Sequence, residues 1–161
     1  MELNNAQKQT MKTYILSQPD LAAVAVGINT DYQALVNLLN ADANPATNAW
    51  RTDVSVDELD EAPDYSTFDS IAAGKRDSWD FFLRRSRNMT RNKVRKWITD
   101  VWGNATANSN AEAILLAGIE KASRAEVALG GNTKTTGTVS GLDRVVVGEF
   151  TGQNAAEVMS S

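Results

Sequence analysis

The sequence predicts a mainly α fold: a helical bundle with an extended C-terminal arm containing a β-strand. Three observations carry that expectation. Apolar residues recur at helical spacing in several stretches before residue 130. Capping residues and helix breakers bound those stretches. After Gly131 the chain turns rich in glycine and threonine, and then β-branched at Val145, Val146 and Val147. The expected organisation is a helical body over 1–130 and an arm over 131–161.

Each element follows from local chemistry. Asn4 or Asn5 is placed to cap a first helix in which Met11, Tyr14 and Ile15 share a face, and Pro19 ends it. Asp20 can cap a short turn through Leu21, Val24 and Ala25, broken by Gly27. Asp31 opens a helix with Tyr32, Leu35, Val36 and Leu39 at helical spacing. Asn44-Pro45 closes it, because the residue before a proline is pushed out of the helical region. Trp50, Thr52, Val54 and Val56 alternate along an extended segment, and Ser55 to Glu58 is a capping box for a short helix.

Beyond the Ala62-Pro63-Asp64 loop, Ile71, Ala72, Lys75, Trp79 and Phe82 give a helix ending near Ser86. Asn88-Met89-Thr90 makes a hinge. Val94, Trp97, Ile98, Val101 and Trp102 form a dense apolar stripe stopped by Gly103-Asn104. A second capping box, Ser109 to Glu112, precedes one long helix with Ala111, Leu115, Ile119, Ala122, Ala125 and Leu129 on a face, ended by Gly130-Gly131. Leu142 to Phe150 reads as a strand. Pairing with another chain, pairing with the Trp50 to Val56 segment, and lying across the helices are all open to it.

Composition narrows the function classes. A chain of 161 residues, 42% hydrophobic and 22% charged, has the size of one domain and can bury its own core. No apolar run approaches the roughly 20 residues that span a bilayer, and Met1 to Asn5 lacks the regions of a secretory signal. A soluble protein made in a cytosol is expected. Cysteine and histidine are absent. That removes disulfides, thiolate nucleophiles, Cys/His zinc sites, Ser-His-Asp catalysis and the usual acid–base group near neutral pH. Carboxylate- and lysine-based enzymes are what is left. The acidic run 57–64 fits no calcium loop, and no phosphate-cradling glycine motif is present. The expectation is no enzyme, no cofactor and no metal.

Charge is the strongest functional lead. The net charge is −4, yet Lys75, Arg76, Arg84, Arg85, Arg87, Arg91, Lys93, Arg95 and Lys96 lie together, opposed only by Asp77 and Asp80. Asp53, Asp57, Glu58, Asp60, Glu61, Asp64 and Asp69 form the acidic counterpart, with no basic residue among them. The basic segment can be a solvated face, a protein contact, or a helix pair gripping DNA phosphates. Overall acidity and the core-like Trp97 and Trp102 weigh against DNA. A matching acidic face lets identical copies attract head to tail and close into a ring. Trp79, Trp97 and Trp102 sit on helical core faces. Trp50, beside Arg51 in a polar stretch, is the expected interface anchor.

Several stretches resemble small head-to-tail connector (adaptor) proteins of tailed bacteriophages. They are Asn44-Pro45-Ala46-Thr47-Asn48-Ala49-Trp50-Arg51-Thr52-Asp53-Val54, the segment from Asn92 through Lys96-Trp97-Ile98 to Gly103, and Ala122 to Glu126. The glycine- and threonine-rich tail leading into Val139 to Phe150 adds to the likeness, which touches about half of the chain. Such proteins form a ring, commonly of about twelve copies, beneath the portal. The resemblance implies a docking arm that reaches the portal through Leu142, Val145, Val146, Val147 and Phe150. It implies that the Lys75 to Lys96 segment faces a neighbouring subunit or the DNA channel. The implied partners are further copies of the chain, a portal protein, a tail or nozzle protein and DNA passing through the channel, with no membrane. The implied location is a virion assembled in the bacterial host cytoplasm. A decoration protein or a tail-completion protein from the same structural-gene region is left open by the resemblance. The alternative is a DNA-binding protein, packaging or regulatory, that uses the basic helices 75–96.

Overall fold

Capping side chains set most of the helix starts in the computed structural model, which describes residues 2–26, 30–103, 108–144 and 149–161. In chain order come α1 (Asn5–Ser17), α2 (Pro19–Ala25), α3 (Tyr32–Asn40), β1 (Asn48–Trp50) and α4 (Val56–Glu61). A 3-10 turn over Tyr65–Ser70 leads to α5 (Ala73–Phe82), α6 (Asn92–Trp102) and α7 (Ser109–Ala117). Then follow β2 (Ile119–Lys121), α8 (Arg124–Ala128), β3 (Thr133–Thr136), β4 (Val139–Leu142) and α9 (Gly152–Ser160). The fold is mainly helical with a small mixed sheet. No helix among the described residues is long and apolar enough to cross a membrane.

The chain divides into two compact units that interleave along the sequence. Unit 1 takes Met1–Thr47, Lys121–Gly131 and Arg144–Ser161; unit 2 takes Asn48–Glu120 and Asn132–Asp143.

Unit 1 is helical. Asn4 caps α1 in a reciprocal box with Gln7, Asp31 caps α3, and Thr151 caps α9 with Asn154. Asp20 does not cap α2. Pro19 takes the first helical position, where its missing N–H costs nothing, and the Asp20 carboxylate instead grips the Arg124 guanidinium at 2.5 and 3.0 Å. Leu3, Met11, Ile15, Leu21, Leu35, Leu39, Ala125, Phe150, Ala155 and Val158 make one buried cluster. The backbone of Phe150 is held on both sides by one side chain. Its N–H donates to Asn40 Oδ1 at 3.0 Å and its carbonyl accepts from Asn40 Nδ2 at 2.9 Å, so no polar group is left bare as the ring enters the core.

Unit 2 is built on aromatic rings, with α4 to α7 around a four-stranded sheet ordered β2-β1-β4-β3. β4 runs parallel to β1, with Ala49 opposite Leu142, and antiparallel to β3 in a hairpin turning at Gly137. Trp50, Val54, Leu59, Trp79, Phe82, Met89, Ile98, Trp102, Ile114 and Leu115 are buried together.

Three expectations change here. The single helix predicted beyond Ser109 is broken into α7, β2 and α8. The break falls at Gly118, where any Cβ would lie 2.5 Å from the Met89 methyl carbon, and Ser123 then restarts a helix through a box with Glu126. At the start of α7 the cap is Asn108, whose side chain accepts from the N–H groups of Asn110 and Ala111, not Ser109. Residues 131–161 are not one extended arm: they supply a hairpin to unit 2 and a core aromatic and a helix to unit 1. The strand predicted from Leu142 ends there, and its partner is the Trp50 segment of the same chain. Val145, Val146 and Val147 lie outside the described residues.

Candidate functional site

The nine clustered cations divide into three groups. Arg87 and Arg95 are buried, at 5% and 1% exposure. The Arg87 guanidinium reaches back over the end of α5. Its Nε donates to the Phe82 carbonyl at 2.7 Å, and Nη2 donates to the carbonyls of Phe81 and Phe82. These carbonyls lie at the negative end of a helix, where a cation is favoured. The guanidinium also lies over the Phe82 and Trp97 rings, 4.4 and 5.2 Å from their centres. Arg95 donates to the Met89 carbonyl at 2.5 Å, lies 4.7 Å from the centre of the Trp50 ring and sits 3.8 Å from Asp143. Burial pushes the pKa of both arginines down. Neither can touch a partner from where it stands.

The second group is already paired. Arg76 bonds Asp69 at 3.2 Å, and Lys96 bonds Asp100 at 2.6 Å one helical turn on. The third group is Lys75, Arg84, Arg85, Arg91 and Lys93, all exposed. Among the described residues none of the five joins an ion pair. Arg84 lies over the Phe81 ring at 5.2 Å, and Phe81 is itself 51% exposed and stacked against Trp97.

The acidic face is less uniform than the sequence implies. Glu58 completes the cap of α4 and holds the Arg51 guanidinium through two contacts of 2.6 and 3.2 Å. The Arg51 guanidinium and the Ser55 N–H hold its carboxyl down at about 2. Asp64 caps the 3-10 turn, and Asp60 accepts the Tyr65 hydroxyl at 2.5 Å. Asp53, Asp57 and Glu61 are exposed. No three acidic side chains converge on a metal position among the described residues.

Trp50 is not an interface anchor. It is fully buried between the Arg95 guanidinium and the backbone of Gly141, where a Cβ would approach Trp50 Nε1 to 3.0 Å. Leu142 and Phe150, expected to dock on a portal, are buried within the chain at 9% and 1% exposure. What the sequence reading missed is Phe81 and Tyr65, the exposed ends of the aromatic core. The Phe81-Phe82 pair was a usable signal, because adjacent helical positions cannot both face one core.

Unit 1 offers a polar groove between Glu2, Lys8, Gln153 and Glu157. Lys8 and Glu157 pair across it at 3.0 Å, so these two charges satisfy one another. The charged face of unit 2 is the stronger candidate. No family model matches this chain, and neither any curated protein nor any solved structure does.

Proposed function

We propose that this chain is a structural subunit that acts by binding proteins, a head-to-tail connector of a tailed bacteriophage that assembles as a ring between portal and tail. The supporting observation is that unit 2 exposes five cations that join no ion pair among the described residues, and a separate acidic helix, on one body. Opposite charges kept apart on one surface suit contact between copies, where each face meets its complement. The resemblance of Asn44 to Val54 and Asn92 to Gly103 to connector proteins supplies the particular setting. The mechanism is assembly and load-bearing, with no bond made or broken, in a virion put together in the host cytoplasm.

Nucleic-acid binding through residues 75–96 is the weaker reading. Two of the nine cations stabilise the core and two are paired, so the set free for phosphates is five. Each lost phosphate contact flattens the salt dependence that drives such binding.

The test is isolation of the N-terminally tagged chain from cells producing its native particles, after nuclease treatment and at moderate salt. Recovery with a portal-like ring protein or a tail protein in fixed stoichiometry is expected. Recovery of the chain alone, with association returning only when DNA is added, would replace this reading with the nucleic-acid one.

A further inference from the structure

Resting on the connector reading, the contact between neighbouring copies can be assigned to named residues. We propose that the basic pole around Phe81 of one copy receives the acidic pole around Tyr65 of a second copy of this chain.

The two poles are the ends of one aromatic core. Ring contacts run from Phe81 to Trp97 at 5.9 Å, on to Phe82 at 5.2 Å, to Trp79 at 4.9 Å, to Trp102 at 5.5 Å and to Tyr65 at 5.9 Å. The interior rings are buried or half-buried, while Phe81 is 51% and Tyr65 38% exposed. Arg84 lies over Phe81 and exposed Arg85 follows it in the chain, while exposed Arg91 and Lys93 stand at the start of α6, whose Trp97 stacks on Phe81. Asp60 accepts the Tyr65 hydroxyl, and exposed Asp57 and Glu61 lie on the same helix as Asp60, α4. Burial first, then the hydrogen bond to Asp60, push the Tyr65 phenol up to about 12.

An exposed ring set among charges mainly of one sign, with Asp77 and Asp80 the exceptions on the helix that carries Phe81, has the composition of a contact hot spot. The ring excludes water, and the charges select and steer the partner. Like poles repel, so two copies cannot pair symmetrically through either one. Only the unlike pairing satisfies both: made once between neighbours it is heterologous and closes into a ring or runs on as a filament, and made twice about a two-fold axis it gives a dimer. A carboxylate can accept from the edge of the Arg84 guanidinium while its face stays on Phe81. A nucleobase stacking on Phe81 would have to displace that guanidinium, which favours an acidic protein face as the occupant.

The experiment is sedimentation velocity of the purified full chain over a concentration series at low and high salt. Self-association that weakens with salt is expected. The reversals Arg84→Glu with Arg85→Glu, and Asp57→Lys with Glu61→Lys, each give a monomer. Mixing the two variants restores association, because each keeps one native pole. Phe81→Ser weakens association about ten-fold or more, read at a temperature well below the variant's own thermal midpoint. Where a reversal lowers the melting temperature, Arg85→Gln and Asp57→Asn give the same order of effects.

A wild-type chain that stays monomeric throughout overturns the proposal. So does association that survives both reversals, ignores Phe81→Ser or fails to return on mixing. A monomer that binds a labelled DNA duplex through Arg84 and Arg85 overturns it in favour of nucleic acid. Recovery from particles with a portal-like protein, combined with any of these results, keeps the connector reading and removes only this contact.

Discussion

Unit 1 and unit 2 bury their interiors by different chemistry. The buried cluster of unit 1 is aliphatic apart from Phe150. That of unit 2 is built on Trp50, Trp79, Phe82 and Trp102, and two guanidiniums are buried in the same unit. Aliphatic surface is non-directional, so any segment of the right pattern can complete such a core. Aromatic rings present a negative face, and a cation can be buried against it provided its N–H groups also find carbonyls. Arg87 and Arg95 meet both conditions. Core chemistry in unit 2 therefore decides which cations of residues 75–96 remain for partners.

The contrast can be broken most severely by removing what completes both cores. Deleting residues 132–161 takes away the β3–β4 hairpin that pairs with β1, together with Phe150 and α9. The expected outcome is loss of cooperative unfolding by circular dichroism. A truncated chain that still melts sharply would show that these residues are an appendage after all.

All four tryptophans lie in unit 2, so their fluorescence reports that unit alone. Trp79→Ala is expected to cost about 3–5 kcal/mol, and Leu35→Ala in unit 1 about 2–5 kcal/mol. In urea titrations the fluorescence midpoint should move with the first change and less with the second, while circular dichroism detects both. Equal movement of the fluorescence midpoint would mean that the two units unfold as one.

Within unit 2 the buried and exposed cations can be compared directly. Arg95→Ala leaves the Met89 carbonyl and one face of Trp50 without a partner, and should cost about 2–3 kcal/mol. Arg85→Ala, on the surface, should stay within about 0.5 kcal/mol. Similar values from chemical denaturation would contradict the division drawn between them.

The smallest effect is on pH dependence. Glu58 is held at about 2, against an ordinary value of 4.5, first by Arg51 and then by Ser55. A carboxyl depressed by folding stabilises the chain above 4.5 and loses that contribution as pH falls through about 2. The urea midpoint should therefore fall on acidification across that window, and fall less in Glu58→Gln. An NMR titration of Glu58 near 4.5 would remove the effect.

Much of the fold was legible where the signal is local. The caps at Asn4, Asp31 and Ser55 and the stop at Gly103 act within a turn of the residues they bound. The Ser123–Glu126 box and Gly118 were equally local, but an apolar period running unbroken from Ala111 to Leu129 concealed them. The charged face was legible as composition, and its division into buried, paired and exposed cations was not.

By itself, then, the sequence determined where most helices begin, that β-branched and glycine-rich residues follow Gly131, and that opposite charges cluster in separate segments. Tertiary structure alone decided that Leu142 pairs beside Ala49, that Trp50 belongs to the core, and that Arg87 and Arg95 spend their charge inside the protein. The physical reason is range. A cap is satisfied by neighbours three residues away, whereas burying Arg95 requires Met89, Trp50 and Asp143 to meet, and residues so far apart in the chain meet only when the fold is complete.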